Sequence, residues 1–125
     1  MEPEGKREAR RSRNGHVFKH PATRLSMELV ADHVRRQYQG EPPDGPISLE
    51  IIAFKSRPKS HPSERYAATK PDYDNIAKLV GDALEGVLWV NDSRIVDARI
   101  IKRFAPTGTL GWIEIMVTRC VDAAV

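Results

Sequence analysis

Apolar residues recur at two different periods along this chain. In residues 74–85, Ile76, Leu79, Val80, Ala83 and Leu84, continued by Val87, follow the i, i+3, i+4, i+7 spacing of an amphipathic helix. Asp74 is placed to cap its start and Gly86 to end it in left-handed backbone. A second helix is predicted from Thr23, a fair N-cap, through Met27, Val30, Val34 and Tyr38, with Gly40 stopping it. Period two takes over in residues 47–54: Ile47, Leu49, Ile51 and Ala53 share one face of a strand, and Ile52 and Phe54 sit on the other. A short apolar strand is predicted at 87–90, then a turn at Asn91-Asp92-Ser93. Residues 94–104 predict a strand with Val96, Ala98, Ile100 and Phe104 on one face. Residues 111–118 predict another with Ile113, Ile115 and Val117. The break at 106–108 joins these two as an antiparallel hairpin.

The remaining stretches lack either period. Residues 1–20 are polar and basic and read as disordered or loop-like, with Gly15 and Pro21 as breakers. Residues 55–70 form a polar, basic connection far longer than the usual ~4–6 residues, and such loops are often functional. The order is helix, strand, long basic loop, helix, short strand, strand, strand. That predicts an α+β fold: a small mixed β-sheet with two main helices, in one domain over residues 1–125. A sheet this small has exposed edges, and a homodimer would cover one.

Composition narrows the class. No apolar run approaches the ~20 residues that cross a bilayer, so no membrane partner is expected. The charged N-terminus has no signal-peptide core. One cysteine, Cys120, excludes an internal disulfide framework and a multi-cysteine zinc site. A reducing cytoplasm is the expected compartment. The net charge of +3 is unevenly spread. Lys6, Arg7, Arg10, Arg11 and Arg13 make one cluster, and Lys55, Arg57, Lys59, Arg65 and Lys70 another. Clustered cations bind phosphate backbones by releasing counterions. One such cluster is as readily a solvated surface. Two flanking an acidic segment favour DNA, with Arg10, Arg11, Arg13, Lys55, Arg57, Lys59 and Lys70 as candidate contacts.

The acidic segment is Lys70-Pro71-Asp72-Tyr73-Asp74-Asn75, continuing to Lys78 and Asp82. If residues 72–74 are extended, Asp72 and Asp74 point the same way. Asp74, Lys78 and Asp82 then form a polar stripe along the helix, at an N-terminus that favours anions. Asp92 could join them if the 87–90 strand folds back beside the helix start. Clustered carboxylates repel unless a cation is present, and hard oxygen ligands select Mg²⁺ or Mn²⁺. Such a site beside basic loops suits phosphodiester hydrolysis, with Lys78 offsetting phosphate charge. Each residue also has a plainer role: Asp74 as a cap, Asp74–Lys78 and Lys78–Asp82 as exposed helix pairs, Asp92 as a turn residue. Taken singly, the plainer roles are the better reading.

Taken together, the stretch from Lys70 to Arg103 resembles the signature of the RusA family of Holliday-junction resolvases. The likeness lies in K-P-D-x-D-N, a lysine within the helix, D-A-L-x-G, an aromatic, and an acidic residue opening a strand that ends in lysine. A weaker likeness runs upstream through Arg24, the Gly-Pro before Ile47, and Pro58-Lys59-Ser60 with His61. The resemblance implies a homodimeric, Mg²⁺-dependent endonuclease acting on four-way or branched DNA in recombination and repair, associated with the nucleoid when bound. Members are often carried on prophages. Its essential acidic residues fall on Asp72, Asp74 and Asp92 and its functional lysine on Lys78, with Asn75 and Asp82 in supporting roles.

Two other readings fit the same residues. A non-catalytic module that holds branched DNA is suggested by Asn91, where the family carries an acidic residue, and by the lack of an apolar strand in residues 1–13. A metal-dependent nuclease for another nucleic acid would use the same chemistry. Trp89 and Trp112 read as core or interface residues rather than base-stacking platforms. Among the histidines, only His61, in the basic loop, is placed near the acidic segment.

Overall fold

The computed structural model describes residues 15–21 and 27–120. Arg10, Arg11 and Arg13 and the Thr23 cap lie outside the described residues. The elements are β1 (Gly15–Pro21), α1 (Met27–Gln37), β2 (Ile47–Lys55), α2 (Tyr73–Leu84), a 3₁₀ turn (Asp92–Arg94), β3 (Ile95–Phe104) and β4 (Trp112–Arg119). The strands form one mixed sheet in the order β1-β4-β2-β3. The α+β class with two main helices is therefore as predicted.

Two expectations about the sheet change. Residues 15–21, read as loop-like, are a strand that pairs antiparallel with β4 along its whole length. The segment carries little apolar pattern, so its strand character comes from ladder bonds to β4 and not from period-two patterning. The predicted β3–β4 hairpin does not form. β2 inserts between them, parallel to β3 and antiparallel to β4. The central position suits β2, which buries Ile47, Leu49 and Ile51 on one face and adds Ile52 and Phe54 on the other, beside Ser48 and Glu50. A parallel neighbour needs a long crossover, which the basic loop and α2 supply.

The core sits between one sheet face and the helices. Ile47, Leu49 and Ile51 of β2 and Ile113, Ile115 and Val117 of β4 meet Ala31 and Val34 of α1 and Ile76, Val80 and Leu84 of α2. Each large side chain buried here contributes about 1.5–3 kcal/mol. On the opposite sheet face Phe54 and Trp112 stack, with ring centroids 4.0 Å apart. The predicted face of β3 is broken. Ile47 pairs with Ile95 but Ser48 with Asp97, a bulge that leaves Val96 without a partner on β2 and 61% exposed.

Residues 87–90 are not a strand. They form a tight turn in which the Gly86 N–H donates to the Trp89 carbonyl at 2.7 Å. Gly86 takes φ +81, as its place after the helix predicts. Leu88 and Trp89 dip from this turn into the core. Their apolar run reflects burial from a turn, which a strand of the same composition would mimic.

Candidate active site

The start of α2 holds two acidic side chains that no other described residue engages. The helix begins at Tyr73, so Asp72, not Asp74, occupies the N-cap position, with extended backbone and no side-chain capping bond. Asp74 lies in the first turn. Strand-like alternation across 72–74 therefore does not apply, because residue 73 is already helical. Both aspartates are exposed at an end where unpaired backbone N–H groups and the helix dipole favour negative charge. Among the described residues neither carboxylate has a hydrogen bond or ion pair. The same is true of the Lys78 ammonium, one turn along. The exposed Asp74–Lys78 and Lys78–Asp82 pairs allowed by spacing are not made. Asn75 and Asp82 are also exposed on this helix.

Asp92 is held in a contrasting way. Its Oδ1 accepts the Trp89 indole N–H at 2.7 Å, and its own backbone N–H donates to Glu85 Oε2 at 2.9 Å. Asn91 caps the turn by accepting the Ser93 N–H at 2.9 Å. The carboxylate rests on Gly81 of α2: a Cβ placed there would lie 3.4 Å from Asp92 Oδ2. Spacings of four and three put Asp74, Lys78 and Gly81 on one helix face. Asp92 thus joins the Asp74–Lys78 side of α2, at a level about 10 Å along the axis from Asp74. Among the described residues no three His, Cys, Asp or Glu side chains converge to hold a metal ion. The carboxylate oxygens of Asp72 and Asp74 are of the donor type that Mg²⁺ and Mn²⁺ take. Mg²⁺ keeps several waters and takes only one or two carboxylates together with substrate phosphate.

The long basic loop is strapped down and delivers the acidic segment. Arg57 donates to the carbonyls of Ala105 at 3.2 Å, His61 at 3.0 Å and Glu64 at 2.8 Å. Its guanidinium lies over the Phe104 ring, on which the His61 ring also stacks. Lys55 Nζ donates to Thr69 Oγ1 at 3.1 Å and to the Lys70 carbonyl at 2.8 Å, two residues before Asp72. Lys102 Nζ donates to the Thr69 carbonyl. Backbone bonds from Ala67 to Lys102 and from Phe104 to Arg65 tie the middle of the loop to β3. The Glu64 carboxyl is held below the usual carboxylate range, chiefly by its own backbone N–H, against an opposing desolvation effect and with help from His61. Lys59 and Lys70 are exposed, and their ammonium groups have no partner among the described residues. Of the candidate DNA contacts in this loop, two therefore hold the loop together and two face solvent unengaged.

Sequence reasoning missed Lys102, Thr69 and Glu85, which act through contacts distant in sequence or across a turn. Trp89, expected in the core or at an interface, lies in the core and also donates to Asp92. A usable signal was present, since a buried indole N–H needs an acceptor and Asp92 lies three residues on.

Compared with known protein families, residues 1–118 match the family described as Endodeoxyribonuclease RusA. Among curated proteins, an uncharacterized protein of Bacillus subtilis (strain 168), YqaN, is 30% identical over 106 residues, covering 74% of this chain and 75% of the relative. No described helix is long and apolar enough to cross a membrane.

Proposed function

Since this chain belongs to the RusA family of endodeoxyribonucleases, we propose that it resolves four-way DNA junctions by paired, divalent-metal-dependent nicks. The observation that carries this reading is the set of Asp72, Asp74 and Lys78 at the start of α2, whose side chains have no partner among the described residues. Asp72 and Asp74 are the first protein ligands for Mg²⁺ or Mn²⁺, and the family likeness assigns Asp92 as the third acidic group. A cation held there supplies Lewis acidity toward the scissile phosphate. Lys78, without a partner among the described residues, would offset charge that builds on the phosphate oxygens. Asn75 and Asp82 support the polar face of α2. Lys59 and Lys70 meet the DNA backbone, joined by Arg10, Arg11 and Arg13, while Lys55 and Arg57 shape the loop that carries them.

A homodimer of this single domain, working in the cytoplasm on nucleoid DNA, would set two such sites on symmetry-related strands. The features that favour a non-catalytic relative have structural counterparts here. A strand, β1, precedes α1 among the described residues, and Asn91 has its own task in capping the turn that carries Asp92. The test is cleavage of a synthetic immobile junction beside its linear duplex, with Mg²⁺, Mn²⁺ or chelator, for wild type and Asp74→Asn. Symmetric nicks on the junction alone, lost with chelator and in Asp74→Asn, are expected. Junction binding without cleavage under every condition would select the non-catalytic module instead.

A further inference from the structure

We propose that Trp89 is a positioning residue for Asp92, its buried indole N–H fixing the direction of a carboxylate that faces solvent. The proposal rests on the role assigned to Asp92 above. Trp89 is 0% exposed and closes the core beside Leu84 and Leu88. Its ring is therefore immobilised by packing, and its one polar atom aims outward. The acceptor is Asp92 Oδ1, at 2.7 Å, on a residue that is itself exposed. A buried indole could be satisfied by any carbonyl. Here the acceptor is one oxygen of an acidic side chain, and the other oxygen is left against Gly81.

The surrounding contacts make the placement rigid rather than incidental. The backbone N–H of Asp92 is fixed by Glu85, and the turn before it by Asn91. With backbone and Oδ1 both held, rotation of the carboxylate is restricted without any charged partner among the described residues. This is how hydrogen bonds from neighbouring groups orient metal- and phosphate-binding carboxylates in general. Asp72 and Asp74 have no such support among the described residues, so Asp92 is the one acid of the three whose direction the free protein already sets.

The test is a double-mutant cycle on the full chain with Trp89→Phe and Asp92→Asn, read by junction cleavage. Asparagine keeps an acceptor for the indole, and phenylalanine keeps most of the buried ring while removing the donor. Trp89→Phe should slow cleavage about 10- to 100-fold, as loss of an orienting partner typically does. Junction affinity in chelator should stay unchanged, and the substitution should add nothing once Asp92 is asparagine. Replacing Trp89 with benzothienylalanine, which swaps only the N–H for sulfur, should reproduce the effect if phenylalanine destabilises the fold. A second readout needs no cleavage: in ¹⁵N-labelled Trp112→Phe protein the single indole N–H resonance should shift with Asp92→Asn. Wild-type cleavage by a folded benzothienylalanine protein, or an equal loss in both Asp92 backgrounds, would overturn the proposal. Full cleavage by Asp92→Asn alone would instead remove the premise about Asp92, and an unmoved indole resonance would remove the contact itself.

Discussion

The basic segment of residues 55–70 and the exposed face of α2 are both rich in charge, yet they treat it oppositely. In the loop, Arg57 serves three carbonyls and a ring, and Lys55 two oxygens. On α2, Asp72, Asp74 and Lys78 have no described partner although partners are within helical reach. Charge density alone therefore does not mark a functional surface in this protein. What separates the two regions is whether the charges are already satisfied by the fold. A group left unsatisfied by its own chain is available to a cation or a phosphate, whereas one tied to backbone carbonyls stabilises structure.

Substitutions should split along that line. The largest effect is expected at Asp74. Asp74→Asn should lower junction cleavage by more than about a hundredfold. Its unfolding free energy should move by no more than about 0.5 kcal/mol, because no contact is lost. A parallel fall in stability would show that the carboxylate is structural after all. Lys78→Met comes next, with a cleavage loss of about a hundredfold at unchanged thermal stability.

Arg57→Ala should invert the pattern. Losing the donor to three carbonyls is expected to destabilise the protein by about 1–3 kcal/mol in denaturant unfolding. Arg57→Lys should recover only part of it, since an ammonium cannot reproduce the planar fork. If Arg57→Ala left stability intact and weakened only DNA binding, the division between the two regions would fail. Lys59→Ala should leave stability unchanged and reduce the salt dependence of junction binding by about one phosphate contact.

The smallest effect concerns Glu64, whose carboxyl is held below its ordinary value of 4.5. A depressed carboxyl contributes stability above its unfolded value, and that contribution disappears as pH falls through the folded one. Because Glu64 is exposed, Glu64→Gln should change the pH dependence of unfolding only slightly, and only below about pH 4.5.

Read alone, the sequence determined a good deal about this protein. The 3.6 period of Ile76, Val80 and Leu84 marked α2, and the alternation of Ile47, Leu49 and Ile51 marked β2. Gly86 marked the helix end, and the run from Lys70 to Arg103 marked the family. These are local signals, carried by residues near one another in the chain, and burial of a single face enforces them. Tertiary structure decided what depends on distant partners. It chose β2 over β4 as the neighbour of β3, since a strand with Ile47, Leu49 and Ile51 on one face and Ile52 and Phe54 on the other is well placed at the centre. It made a strand of residues 15–21, whose own pattern is weak, by offering the edge of β4. It turned Lys55 and Arg57 inward to the loop, because carbonyls of residues 61, 64, 70 and 105 needed donors. And it hung Asp92 from a buried indole, a contact that exists only because residues 87–90 fold as a turn into the core.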